Sequence, residues 1–183
     1  MAGSLYLQFH FNKQAESEFN QAIELEPSDH CYFQIGQSYL EHGKVKKALK
    51  HFGLASTTAS FALLMDISDA LLRAEYPHEA EQYLDLAIYK EPWNPEGHLN
   101  KSFAWAARMK LEEAWREVNE AERLARERTE FAGFLDEARS MKRAIQEMRQ
   151  IQELIMGKKN SLSPLSPKLS DAMPPLAKFG RPS

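Results

Sequence analysis

The chain has 183 residues, 43% hydrophobic, 10% aromatic and 27% charged, with a formal net charge of −3. That is the composition of a folded chain that faces water, and its length suits one core or one short repeat array better than two independent domains. The longest apolar run, Phe61 to Met65, falls far short of the roughly 20 residues of a membrane helix, so no membrane insertion is expected.

No basic stretch leads into an apolar core at the start, so no secretory signal is expected either. Cys31 is the single cysteine, which excludes an internal disulfide or a cysteine-based zinc site and points to a reducing, cytoplasmic setting. Residues 158–183 hold five basic side chains and one acidic, leaving 18 basic and 25 acidic for the rest. An acidic body with a short basic tail lacks the clustered positive surface that nucleic acid requires.

In chain order, the first predicted element is the helix within AESEFNQAIELEP, Ala15 to Pro27. Its pattern, Ala-x3-Phe-x2-Ala-x4-Pro, returns as Ala48/Phe52/Ala55/Ser60, Ala80/Leu84/Ala87/Pro92 and Ala114/Val118/Ala121/Arg126, at spacings of 33, 32 and 34 residues. Twelve residues before each first Ala stands a small residue (Gly3, Gly36, Ser68, Ser102), and three beyond that a large apolar one (Tyr6, Tyr39, Leu71, Trp105).

Small residues on two facing helices let them approach, and Tyr39 or Phe52 fills the space beside the contact. Pro27 and Pro92 end their helices. Ser28 or Asp29 caps the next helix, Asn94-Pro95 supplies a cap and a first helical residue, and Gly43 suits a turn. Leu25 and Leu86 are expected in the core, and Trp93, Trp105 and Trp115 are expected to anchor packing.

This pattern resembles the tetratricopeptide repeat, a helix–turn–helix unit of 34 residues. The resemblance covers about residues 2–126 and implies an all-α fold. It would be a right-handed α-solenoid of about four units (2–28, 29–60, 61–94, 95–126), followed by a long C-terminal capping helix over 127–157. The first unit is truncated, since Gly3 sits where an eighth residue belongs. Either its first helix is short or the chain is a shortened form of a longer protein. The fourth unit departs from the pattern at Lys101, a place usually apolar, and at Arg126, where Pro is usual.

In the family the first helices of the units line a concave groove that holds peptide segments. The matching positions are Phe33, Gln34, Gln37 and Leu40 in the second unit, Met65, Asp66, Asp69, Leu72 and Arg73 in the third, and Leu99, Asn100 and Phe103 in the fourth. Gln34, Gln37, Asp66 and Asp69 stand where chaperone-binding members carry a basic clamp, so a carboxylate-ended partner is not expected. Phe33, Leu40, Met65, Leu72, Leu99 and Phe103 form an expected apolar stripe with an acidic centre, suited to a helix or extended peptide with apolar anchors and a basic residue; the alternative for several of them is packing between helices.

Beyond Thr129, taken as an N-cap, apolar residues recur in steps of three and four from Phe131 to Ile155, describing one amphipathic helix. A cap for the last repeat is its default role. It outreaches a repeat helix, so Ile145, Met148, Ile151 and Ile155 are expected to meet a partner helix or a second copy of the chain in a short coiled coil, or to be covered by the chain itself. Residues 158–183, rich in Pro and Ser, are expected to be disordered, with Ser163 and Ser166 as candidate phosphorylation sites before Pro.

No phosphate-binding glycine loop, His-Glu-x-x-His pair or nucleophile elbow occurs. The six histidines have no ligand spacing, and Asp66 and Asp69, although on one helix face, read as a polar strip rather than a metal or acid–base pair. No catalytic residue, cofactor or metal is therefore expected. The expected role is a non-enzymatic scaffold or adaptor that holds a segment of another protein. The alternatives are a dedicated chaperone for an apolar client segment and a regulatory subunit of a separate enzyme.

Overall fold

The computed structural model describes residues 2–159, with side chains as far as Met156. Lys158 and Lys159, expected in the tail, belong to the last helix; the rest of the expected tail, with Ser163 and Ser166, lies outside the described residues. Within them the fold is all-helical: α1 (Ala2–Gln8), α2 (Asn12–Leu25), α3 (Asp29–Glu41), α4 (Val45–Ala55), α5 (Phe61–Arg73), α6 (Pro77–Lys90), α7 (Pro95–Ala107), α8 (Leu111–Glu127), a 3-10 turn (Thr129–Phe131) and α9 (Phe134–Lys159). The chain divides into two compact units, one holding α1–α6 and one holding α7–α9. No described helix is long and apolar enough to cross a membrane.

In the first unit α1 packs on α2, α3 on α4 and α5 on α6; in the second, α7 packs on α8. Each pair turns in the same way. His10, Gly43, Glu75 and Met109, one in each turn, take left-handed φ values of 62°, 70°, 65° and 60°. The following residue, Phe11, Lys44, Tyr76 or Lys110, donates its N–H to the carbonyl of Tyr6, Tyr39, Leu71 or Trp105 at 2.8–2.9 Å. This is a Schellman closure, in which a left-handed residue lets the chain satisfy the orphaned carbonyls of a helix end. The left-handed residues are spaced 33, 32 and 34 apart, the same intervals as the Ala pattern, so the repeat is written in the backbone as well as in the side chains.

The small residues do what their size suggests. A Cβ at Gly36 would lie 2.6 Å from ring carbons of Phe52 and 3.2 Å from the Ala48 carbonyl oxygen, and Gly3 faces Phe19 in the same way. At the equivalent place Ser102, fully buried, donates its hydroxyl to the carbonyl of Ala114 at 2.9 Å, bridging α7 and α8. Buried Ser68 instead turns its hydroxyl back onto Met65 of its own helix. Ala15, Ala48, Ala80, Ala87, Ala114 and Ala121 are buried completely.

The caps are as expected where the sequence carries them. Ser28 accepts from the N–H of Cys31 and Asn94 from that of Glu96, with Pro95 next in line. Ser60 caps α5 through Leu63, in the place that Pro27 and Pro92 hold elsewhere.

Three expectations need correction. Leu25 is 86% exposed and Leu86 43% exposed. At about 100° per residue each is turned well away from the Ala–Phe face of its helix. The tryptophans are not core anchors: Trp93 is exposed and Trp105 and Trp115 are half-buried. All three rings carry a cation, Arg128 at 5.9 Å, Arg108 at 4.8 Å, and both Lys142 at 5.5 Å and Arg149 at 5.0 Å over Trp115.

Thr129 caps no long helix; it opens the 3-10 turn, and α9 begins only at Phe134, after the exposed Gly133. Of the two alternatives open for Ile145 and Met148, coverage by the chain itself is the one found: they are buried, together with Ala138 and Met141, on a helix that packs along α8 and also meets α7.

Lys101, the departure from the repeat pattern, has a physical account. Its ammonium lies 3.2 Å from Glu117 of α8, and His98 donates Nδ1–H to the same carboxylate at 2.8 Å. Burial of Glu117 opposes its charge, but the His98 hydrogen bond and the Lys101 charge outweigh it, and its pKa lies below the usual carboxylate range. A polar triad thus replaces an apolar contact between α7 and α8.

Candidate functional site

The twelve groove positions do not behave as one surface. In the compact unit that holds α1–α6, Gln37 and Leu40 from α3 and Arg73 from α5 come together around a shallow cavity of about 220 Å³, joined by Glu41, Ala70 and Ala74. Leu40 and Ala70 are buried and form its floor, while the exposed Glu41 and Arg73 bring opposite charges to its rim. The half-buried Gln37 adds an amide that can both donate and accept. A cavity this small, below the roughly 300–1,000 Å³ of a small-molecule site, fits one apolar side chain of a docked segment.

The other α3 positions lie beside one another. Phe33 is half-buried, 6.0 Å from the ring of Phe52 and 6.2 Å from that of His30. Gln34 is exposed and pairs with His30 at 2.9 Å. On α5, Asp66 and Asp69 are half-exposed, one turn apart on one face.

The expected apolar stripe is corrected by burial. Met65 is 1% exposed, Leu72 5%, Leu40 7%, Leu99 0% and Phe103 7%. These side chains are largely taken up in packing: Leu40 keeps only the edge that floors the cavity, and Phe33 is the one member that is half-buried rather than buried. Asn100, 1% exposed, is likewise removed from any docking role, so no predicted position of the fourth unit offers free side-chain area. The physical reason is that a helix packed on more than one neighbour needs apolar residues on more than one face.

On α9 the accessible contact candidates are Ile151, 38% exposed, and the half-buried Ile155. Beside them lie Leu154 and Met156, 63% and 62% exposed, which the step pattern passed over. The helix is fixed before that point. Glu122 of α8 accepts from Lys142 and Arg126, and its pKa is lowered chiefly by the Lys142 hydrogen bond. Arg149 lies 3.1 Å from Glu112 and donates to the carbonyl of Leu111 at 3.4 Å. These pairs run α9 antiparallel to α8, so the last turns of the 26-residue α9 extend past the start of the 17-residue α8.

The cavity members that sequence reasoning missed, Ala70 and Ala74, are the small residues that leave room for it. Their signal was present in their size beside Arg73. No protein-family model matches the chain, and no curated protein matches it.

Proposed function

We infer that the chain is a non-enzymatic interaction module built as a right-handed α-solenoid of tetratricopeptide type, with α9 as its terminal cap. Its α3/α5 cavity seats an apolar side chain of a segment from another protein. The observation that carries this reading is the meeting of Gln37 and Leu40 with Arg73. These positions, 33 to 36 residues apart, share one cavity, and all three are positions that the resemblance assigns to the groove. The recurring left-handed turns support the repeat. The opposed charges of Glu41 and Arg73 favour a segment whose apolar anchor is flanked by charge, and the Gln37 amide suits its backbone.

The exposed end of α9, with Ile151, Leu154 and Met156, supports a second contact with the same partner or with a second copy. A photoreactive residue placed at Gln37 or Arg73 should crosslink the partner protein, whereas one at Asn20 or Gln82, exposed positions elsewhere in the unit, should not. Equal crosslinking from all four positions would sink the cavity as the docking point.

A further inference from the structure

Helix α4 presents a second surface that owes nothing to the cavity. Its inward face is Ala48, Phe52 and Ala55, all buried. About half a turn round, in steps of three and four residues, Lys46, Lys50, Gly53 and Leu54 form an exposed strip. Lys44 and Lys47 make four lysines within seven residues. Lys47 is engaged, paired with Glu16 and 5.4 Å from the ring of Tyr39. Lys46 and Lys50 have no ion-pair partner among the described residues.

The arrangement works against the helix that carries it. Like charges four residues apart repel. The first turn of α4 holds no acidic residue, and Lys44 at its cap makes no side-chain hydrogen bond, although a helix start favours negative charge. Gly53 adds to the cost, because glycine inside a helix forgoes stability that alanine would supply. Packing within the chain does not require it: a Cβ there would meet nothing within 4 Å. Gly36, by contrast, is held to glycine by Phe52. Next to Gly53, Leu54 leaves 42% of its surface in water.

We propose that this face of α4 docks an acidic amphipathic helix of a partner protein. Its carboxylates pair with Lys46 and Lys50, its backbone passes close over Gly53, and its apolar side chain covers Leu54. Charge complementarity selects the occupant: the strip is basic while the chain outside residues 158–183 has 25 acidic residues against 18 basic. An acidic body lacks the many clustered cations that an extended polyanion such as nucleic acid needs, whereas two lysines beside an exposed leucine match a short acidic helix. A flat glycine between a basic pair and a leucine matches the close approach of a helix rather than a phosphate backbone.

The probe is a fluorescein-labelled helical peptide with glutamates four residues apart and a leucine one turn on, titrated with the full chain. Its charge-reversed counterpart and a labelled single-stranded oligonucleotide serve as comparisons. The acidic peptide should bind saturably and the other two should not. Lys46→Glu with Lys50→Glu should weaken binding about tenfold, with the helical circular dichroism unchanged. Gly53→Gln separates docking from folding, because it should raise the melting temperature while abolishing binding. The proposal is overturned by the absence of saturable acidic-peptide binding up to about 1 mM. Equal binding of the basic peptide or the oligonucleotide, or unchanged binding by Gly53→Gln, also overturns it.

Discussion

Gly43 and Glu75 occupy the same left-handed backbone position in successive helix turns, at φ 70° and 65°, yet only one of them is a glycine. A side chain in that conformation costs about 1 kcal/mol or somewhat more. Glu75→Gly should therefore stabilise the first unit by about 1 kcal/mol, and Gly43→Ala should destabilise it by a similar amount. Urea unfolding followed by circular dichroism checks both. Equal effects of the two substitutions would show that the turns are not equivalent.

Glycine acts through space at Gly36. Its missing Cβ leaves room for the Phe52 ring, which would otherwise lie 2.6 Å away. Gly36→Ala should cost about 1–3 kcal/mol by overpacking, against the gain of about 1 kcal/mol that alanine offers a helix. In Gly36→Ala with Phe52→Leu the two losses should be less than additive, because the smaller side chain makes room. A double-mutant cycle in urea measures that coupling.

Acid should weaken the fold in two steps. His51 stacks on Tyr39 at 5.5 Å and Tyr32 at 6.4 Å, with its Nδ1 buried and without a hydrogen-bond partner. Burial first, then the charges of Lys50 and Lys47, hold its pKa below 6.5. The unfolded chain thus takes up this proton before the folded one, and stability falls as pH drops below about 6.5. The lowered pKa of Glu117 works in a second window. Its contribution is complete above the unfolded value of 4.5 and is lost as pH falls through its lower folded value. His51→Phe should remove the upper step, and Glu117→Gln should shrink the lower one, to which Glu122 also contributes, as read from melting temperature against pH.

The parts of this fold legible in the sequence are those where one side chain performs one local task. Ala48 and Ala80 mark helix contacts, Ser28 and Asn94 mark caps, and the spacing of the Ala pattern marks the unit. Hydrophobicity alone assigns Leu25 and Leu86 to the core, whereas the angle each makes with Phe19 or Leu84 on its helix turns it to water. Met65, Leu99 and Phe103 differ for the opposite reason: they hold repeat positions that the resemblance assigns to a groove, but neighbouring elements cover them. The His98–Lys101–Glu117 triad was illegible because its members lie on two helices, and only their approach turns an irregular Lys101 into a partner.

The two ends of α9 should behave differently. Met141, Ile145 and Met148 are buried, and each contributes about 1.5–3 kcal/mol. Ending the chain after Gly133 should therefore remove most of the second unit's stability. Ending it after Gln150 removes Ile151, Leu154 and Met156, which are exposed, and should change stability by no more than about 1 kcal/mol. Thermal melts of the two truncations distinguish a cap from an overhang.

The central claim, that the α3/α5 cavity is where a partner segment docks, is tested most directly by calorimetric titration of the crosslinked partner into charge-reversed variants. Arg73→Glu on the cavity rim should weaken binding at least tenfold, while Lys90→Glu, an exposed reversal outside the cavity, should leave the affinity unchanged. Equal affinities for the wild-type chain and Arg73→Glu would contradict the account.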